Sequence, residues 1–327
     1  MKLAKFNLLG LPSIAIQHVI RTMDLKAMLF LSLTSRKAKS ILNYSLPKSY
    51  FHVEYTFWAH TYWTSLLLRS PNQALFFKTN MYISEKDVRS YKIQRILFKI
   101  LNFHDQIKIS WDESFKAGME VLITHFAETF RLPNISMGFG IRMYSHTSLA
   151  LLNHSISLNA PLIKVEMNMQ NLPSEICKAF LDVGSKVLQK LYIYSRNAPD
   201  FHYRPSKVFK LEKLRISDGH WVHLEDFMEC KHVVVGNFSK HPNMYCADSK
   251  KLNDFFKLWK ASSCRLEHLQ VDVYYTRDLS FDGITAELDG TNFIRTAYDQ
   301  SVEIQRVDGK KAMIRMTPMY LTLKVVD

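Results

Sequence analysis

Four short apolar segments begin 28 residues apart: "IKIS" at Ile107, "ISMGF" at Ile135, "IKVEMNM" at Ile163 and "LYIYS" at Leu191. Each has the length and the Ile, Val, Met and Tyr content of a strand. "LEKLRIS" around Leu214, "HVVVGN" around Val233 and "LEHLQVDV" around Leu269 continue the series less regularly. Helix-like stretches lie between them, at Phe115–Phe130, Pro173–Leu188, Val222–Glu229 and Ser249–Ser262. In the last, Leu252, Phe255, Phe256 and Trp259 fall at i, i+3, i+4 and i+7, one apolar helix face. One strand and one helix cannot bury each other, so such units must stack on their neighbours.

This pattern implies an α/β chain, α+β overall. A short N-terminal helical module is followed by a degenerate leucine-rich-repeat-like β-α solenoid with antiparallel strands at its ends. A doubly wound sheet produces similar spacing and is the alternative. The expected boundaries are 1–48 for the helical module, 49–105 for a strand-rich connector, 106–275 for the β-α repeats and 276–327 for a C-terminal hairpin region. In the connector, "YFHVEYTFW", "YWTSLLL" and "ALFFKTNMYI" predict two or three antiparallel strands with "SPNQ" as a turn, then a helix near Glu85–Lys99. "VEIQRVDGKKAMIRM" reads as a hairpin turning at Asp308-Gly309.

The N-terminus poses a separate problem. Residues 8–42 are too apolar for two or three short helices to cover by themselves. Pro12 suits a first helical turn, and Ile16, Val19, Ile20 and Met23 follow at helical spacing. Asp24 is placed to cap a second helix carrying Met28, Leu29, Leu31 and Leu33. The open apolar surface points to docking into a partner; burial as a cap on the rest of the chain is the competing reading.

Charge is uneven. Residues 1–110 carry 16 Lys and Arg against 5 Asp and Glu, whereas residues 217–327 carry 14 against 16. The net +13 therefore belongs mostly to the N-terminal third, which would attract an acidic partner. No apolar run is long enough for a membrane span, and no signal-peptide cleavage pattern follows Lys2 and Lys5, so no membrane partner is expected and the expected location is cytoplasm or nucleus. The four cysteines (Cys177, Cys230, Cys246, Cys264) are not spaced as pairs and are expected as free thiols.

No catalytic pattern emerges. Only 10 glycines are present, with no phosphate-cradling loop, nucleophile elbow or His-Glu-x-x-His helix; Gly138-Phe139-Gly140 reads as a bend. "HWVHLEDFMECKH" gathers His220, His223, Cys230 and His232, but along a strand, helix and strand rather than at four converging positions, so no metal is expected. Asp112, Glu113 and Asp226 lack partners at a defined spacing and read as solvated carboxylates. "FHYRPSKVFK", Phe201–Lys210, reads as an exposed recognition loop. No cofactor is expected.

Two stretches carry a resemblance. "LPSIAIQHVIRTMDLKAMLFLSLTSRKAK" resembles an F-box without gaps. Leu11 and Pro12 match its opening pair; Ile16, Val19, Ile20 and Met23 its first helix; Met28, Leu29, Leu31 and Leu33 its second; and Ser35-Arg36 its Ser-basic pair. Ile14 stands where an acidic residue is usual, and Ala38 where an aromatic is common. "LEKLRISDGHWVHLEDFMECKHVVVGN" and "LNDFFKLWKASSCRLEHLQVDV", with the tail after them, resemble the type-2 F-box-associated domain of a large nematode family over 211–327. The resemblance implies a non-enzymatic, substrate-recognition adaptor in a Skp–cullin–F-box ubiquitin ligase. Its F-box would dock an acidic Skp-type adaptor, and through it cullin, using Leu11, Pro12, Ile16, Ile20, Leu29 and Leu31. The C-terminal region would bind a target protein. The alternative is a basic nucleic-acid-binding protein with an N-terminal helical cap, although no nucleic-acid-binding signature is present.

Overall fold

The computed structural model describes residues 10–57, 64–79, 88–103, 106–141, 143–169, 172–236, 248–273, 279–296 and 298–326. The chain forms two compact units, residues 1–163 and 164–327. No helix among the described residues is long and apolar enough to cross a membrane.

The first unit opens with three ten-residue helices, α1 (Ser13–Thr22), α2 (Leu25–Thr34) and α3 (Arg36–Ser45). Six strands follow: β1 (His52–Phe57), β2 (Thr64–Ser70), β3 (Gln73–Thr79), β4 (Arg89–Ile93), β5 (Ile96–Phe103) and β6 (Gln106–Trp111). Helix α4 (Phe115–Thr129), strand β7 (Asn134–Phe139) and helix α5 (Ser145–Ser157) complete it. The strand order is β7-β1-β2-β3-β6-β5-β4, with β1–β7 and β3–β6 parallel and the other pairs antiparallel. Alternation buries Val53, Tyr55 and Phe57 on β1, and Phe98 and Ile100 on β5. Helix α4 contributes Phe126 to the same core, edge-on to Phe77 at 5.5 Å. Gly118 on α4 is required by packing: a Cβ there would meet the Trp111 ring at 2.1 Å.

The second unit begins within β8 (Leu162–Met169) and runs through α6 (Ser174–Gly184), β9 (Lys190–Ser195), β10 (Lys213–Ile216), a single 3-10 turn (Leu224–Phe227), β11 (His232–Val235), α7 (Ser249–Ala261) and β12 (His268–Asp272). These five strands are parallel and lie side by side in chain order. After α8 (Phe281–Thr285), the strands β13 (Thr291–Arg295), β14 (Gln300–Gln305), β15 (Lys311–Met316) and β16 (Tyr320–Val326) extend the sheet antiparallel, β16 pairing with β12.

The expected strands at Ile107, Ile135, Ile163, Leu191, Leu214, Val233 and Leu269 all form. Helix α7 buries Leu252, Phe255, Phe256 and Trp259. The β14–β15 hairpin turns through Asp308-Gly309, with Gly309 at φ +89°, where a side chain would be strained.

Three expectations are corrected. The helix near Glu85–Lys99 is, over its described part, the hairpin of β4 and β5, because Ile96, Phe98 and Ile100 bury alternate positions. The helix at Val222–Glu229 is only the 3-10 turn. Gly138 and Phe139 lie within β7 rather than in a bend. Helix α5 had no counterpart in the sequence reading: its buried stripe is Ser148, Leu151, Leu152 and Ser155, so serines at both ends disguise the apolar period.

Candidate functional site

The N-terminal helices are fixed by local chemistry. Pro12 precedes α1 at φ −56°, and its carbonyl accepts from Ile16 N at 3.0 Å. Asp24 caps α2, its Oδ1 accepting from Ala27 N at 2.6 Å, and Ser35 caps α3 through Ala38 N at 3.1 Å. The inner faces are Ile16 and Ile20 on α1, Leu25, Met28 and Leu29 on α2, and Ala38 and Leu42 on α3. Helix α2 is apolar beyond one stripe, with Phe30, Leu31 and Leu33 half-buried. A helix apolar on several sides needs cover from more than one direction.

The helices are joined to the rest of the first unit by polar contacts. Leu25 N donates to Gln73 Oε1 at 2.9 Å, Arg131 Nη1 donates to Leu46 O at 3.0 Å, and Lys39 and Asn43 engage Glu128. Ser32 meets His125 of α4. What stays open is the start of α1 and part of α3: Pro12 is exposed, Ile14 is 81% exposed and Tyr44 71%.

The six positions expected at an adaptor interface are therefore placed differently. Pro12 is exposed, while Leu11 and Leu31 are half-buried. Ile16, Ile20 and Leu29 are 7%, 0% and 2% exposed within this chain alone. The sequence marked Ile14 only as a departure from the F-box pattern and did not single out Tyr44; single apolar residues give no periodic signal.

In the second unit, the His and Cys residues of 220–232 do not converge. His220 Nδ1 lies 2.7 Å from Asp218 Oδ1 and its Nε2 3.1 Å from Ala198 O. His223 faces Glu225 at 3.7 Å, and Cys230 points its thiol at Phe209 O. Burial pushes the Cys230 and Cys177 thiols up to about 12. Cys177, Cys230 and Cys264 are free and buried; Cys246 lies outside the described residues. Among the described residues, no group of three His, Cys, Asp or Glu side chains is arranged to hold a metal. Asp112 pairs with Lys99 at 3.3 Å and Asp226 with Arg204 at 2.9 Å, while Glu113 is exposed.

The Phe201–Lys210 loop needs correction as a recognition element. Phe201 and Phe209 are buried, and Phe201 and Tyr203 pack edge-on to Trp221 at 5.2 and 6.0 Å. Its aromatics are core; only side chains such as His202, Lys207 and Val208 are exposed.

Two regions match known families. Residues 8–50 match the family model described as F-box domain, and residues 205–271 the one described as F-box associated. The first spans α1–α3, and the second runs from the loop before β10 through α7 to β12. The chain matches no curated protein and no solved structure.

Proposed function

From a chain that carries an F-box domain ahead of an F-box-associated domain, we infer a substrate-recognition adaptor of a Skp–cullin–F-box ubiquitin ligase. The observation that carries this reading is the order of the two matched regions on one chain. The exposed start of α1 supports it: Pro12 and Ile14 remain uncovered where the helices' inner face is already buried. In this reading Leu11, Pro12 and Leu31 meet a Skp-type adaptor, and through it cullin. Ile16, Ile20 and Leu29 act from behind, holding α1 and α2 at the angle that presents them. The second unit holds a target protein, and the consecutive strands β8–β12 are read as a degenerate leucine-rich-repeat-like solenoid. The chain supplies proximity rather than chemistry, raising the local concentration of target lysines near the ubiquitin carrier in the cytoplasm or nucleus.

The test is affinity of the full chain for a purified Skp-type adaptor, beside thermal unfolding, for wild type and a Leu11→Ala/Pro12→Ala double variant. Interface energy concentrates in a few anchors, so a loss of about 2–4 kcal/mol of binding is expected, with little change in melting. Absence of binding by the wild-type chain, or a large loss of melting temperature with unchanged affinity, rejects the docking assignment.

A further inference from the structure

The first unit's sheet ends at β4. Strand β4 pairs with β5 on one side, and among the described residues no strand pairs with its other side. An edge strand offers unpaired N–H and C=O groups along that side. The β4–β5 ladder runs without a bulge from Arg89–Ile100 to Ile93–Ile96, so the edge is regular over its five residues. Register and burial set its faces. Tyr91 and Ile93 stand opposite the buried Phe98 and Ile96, so with Arg89 they share the core side, and Ser90 and Lys92 take the other. A groove of about 660 Å³ lies at the start of the strand, between Lys26, Ala27 and Phe30 of α2 and Arg89, Ile100 and Asn102 of the hairpin. The ring of Phe30 lies 6.3 Å from that of Tyr91, which joins α2 to the strand.

The charge of this edge is not balanced from within. Arg89, Lys92 and Arg95 are exposed on the hairpin, and Lys26 shares the groove wall with Arg89. Among the described residues no carboxylate forms an ion pair with any of these cations. The neighbouring carboxylates are engaged: Asp24 caps α2 through Ala27 N at 2.6 Å, and Asp112 takes Lys99 at 3.3 Å. The edge strand of the second unit is built differently. The ladder of β13 shifts register between Thr291 and Ile294. Charges on and beside it are paired within the chain: Arg295 with Asp282, Lys311 with Glu303 at 3.0 Å, and Arg315 with Asp299 at 2.6 Å. A bulge and compensated charge blunt that edge, and β4 has neither.

We propose that the open edge of β4 takes an extended acidic segment of a partner protein, added as a further strand of the sheet. The main chain of such a segment supplies donors and acceptors to the edge, and its side chains supply selectivity. Arg89 and Lys92 are three positions apart and on opposite faces, so a partner strand answers both with two carboxylates at the same spacing. Side chains on the core-side face reach the groove, where Ala27, Phe30 and Ile100 suit an apolar group between Lys26 and Arg89. The five residues of β4 span about 17 Å, the length of an equally short partner segment. None of these residues is among the six assigned to adaptor docking, so the proposal stands or falls apart from that reading.

Two other occupants fit less well. Single-stranded DNA brings phosphates to the cations, but its sugar–phosphate backbone carries no donors, so the C=O groups of the strand would stay unpaired. A second copy of this chain, paired edge to edge, would set Arg89 and Lys92 against their own kind, because β4 carries no carboxylate.

The experiment uses the full chain and fluorescent probes, with binding read by anisotropy at about 0.15 M salt, where long-range surface attraction is screened. The first probe is a pool of ten-residue peptides with Glu fixed at every third position among degenerate Val, Ile, Thr and Phe. In the second pool Gln replaces Glu. The third keeps Glu but is N-methylated at its central amides, which removes the donors of a strand and leaves the charge. The fourth is a ten-nucleotide single-stranded DNA pool. The Glu pool is expected to bind roughly tenfold or more tightly than the Gln pool or the N-methylated pool, and more tightly than DNA. Arg89→Gln/Lys92→Gln should remove most of the preference for Glu over Gln, and Arg89→Lys/Lys92→Arg should keep it, both with unchanged thermal unfolding. Equal binding of the Glu and Gln pools, equal binding of the N-methylated pool, stronger binding of DNA, or full retention of preference in the Gln variant overturns the proposal. So does a dimer of the wild-type chain, seen by sedimentation, that the Glu pool dissociates, because the edge would then belong to a second copy.

Discussion

The hydroxyl of Ser32 on α2 lies 2.9 Å from Nε2 of His125 on α4, with both side chains buried. Ser32 also donates to Leu29 O at 2.6 Å, so its remaining lone pairs are free to accept the Nε2 proton of the imidazole. With the bonds of Lys39 and Asn43 to Glu128, this contact ties the F-box helices to the sheet-covering helix of the first unit. His125 is held neutral by its surroundings: burial, then Lys39, lower its pKa to about 3.

Burial of that histidine makes the first unit sensitive to acid. A histidine whose folded pKa lies below its unfolded value of about 6.5 binds its proton only on unfolding, so stability falls as pH drops from about 6.5 toward 3. Between pH 6.5 and 5 the loss attributable to His125 is expected to be about 2 kcal/mol, at roughly 1.4 kcal/mol per pH unit. Denaturant melts of wild type and His125→Gln across that range check it. The variant should start less stable but show a shallower acid slope; an identical slope removes His125 as the cause.

Inner and outer residues of α1 should separate folding from docking. Ile20 is fully buried, and Ile20→Ala is expected to cost about 3 kcal/mol of stability. Adaptor affinity should then fall only through the unfolded fraction and recover at lower temperature. Leu11→Ala/Pro12→Ala should behave in the opposite way. Equal effects of both variants on melting would mean that the start of α1 is held by the chain itself.

The second unit is closed by a residue far from its helix in sequence. Arg306, 3% exposed, places its guanidinium 5.1 Å from the Trp259 ring centre, donates to Cys264 O at 2.8 Å, and forms a fork with Asp308 at 2.9 and 2.6 Å. This contact holds Asp308 down at about 2. Lysine cannot reproduce the planar fork or the stack, so Arg306→Lys is expected to destabilise by about 2 kcal/mol. Trp259→Ala should cost about 3–5 kcal/mol. Tryptophan fluorescence during urea unfolding measures both, and a neutral Arg306→Lys would show that the turn contributes nothing to the core.

Much of this architecture was legible because short strands declare themselves by burial. The segments at Ile107, Ile135, Ile163 and Leu191 each carry enough apolar residues to need cover on at least one face, and each forms a strand. Where the pattern failed, local and tertiary signals diverged. "KIQRILFKI" offers apolar residues compatible with either period, and the two-residue turn at Gln94 and Arg95, with Gln94 at φ +53°, decides for a hairpin. In α5 the buried Ser148 and Ser155 hide the helical stripe. At the F-box the sequence placed the apolar positions but not the direction each one faces. Ile16, Ile20 and Leu29 share a pattern with Leu31, yet three are enclosed and one is only half-covered. The row of Lys164, Lys190, Lys213, His232, His268 and Lys324 across the second unit's sheet was invisible for a further reason: neighbours in it are 19 to 56 residues apart in sequence and meet only through strand register.

The alternation along β9–β12 separates two jobs that many proteins must solve with the same residues. Leu191, Leu214, Val233 and Leu269 keep the sheet folded, while Lys190, Lys213, His232 and His268 stand one position earlier on the opposite face. A single-base change at any of those four outer codons alters the chemistry of the surface one rung at a time and leaves the interior untouched. Substitutions at these four positions can thus change what the chain touches at almost no thermodynamic penalty to the scaffold.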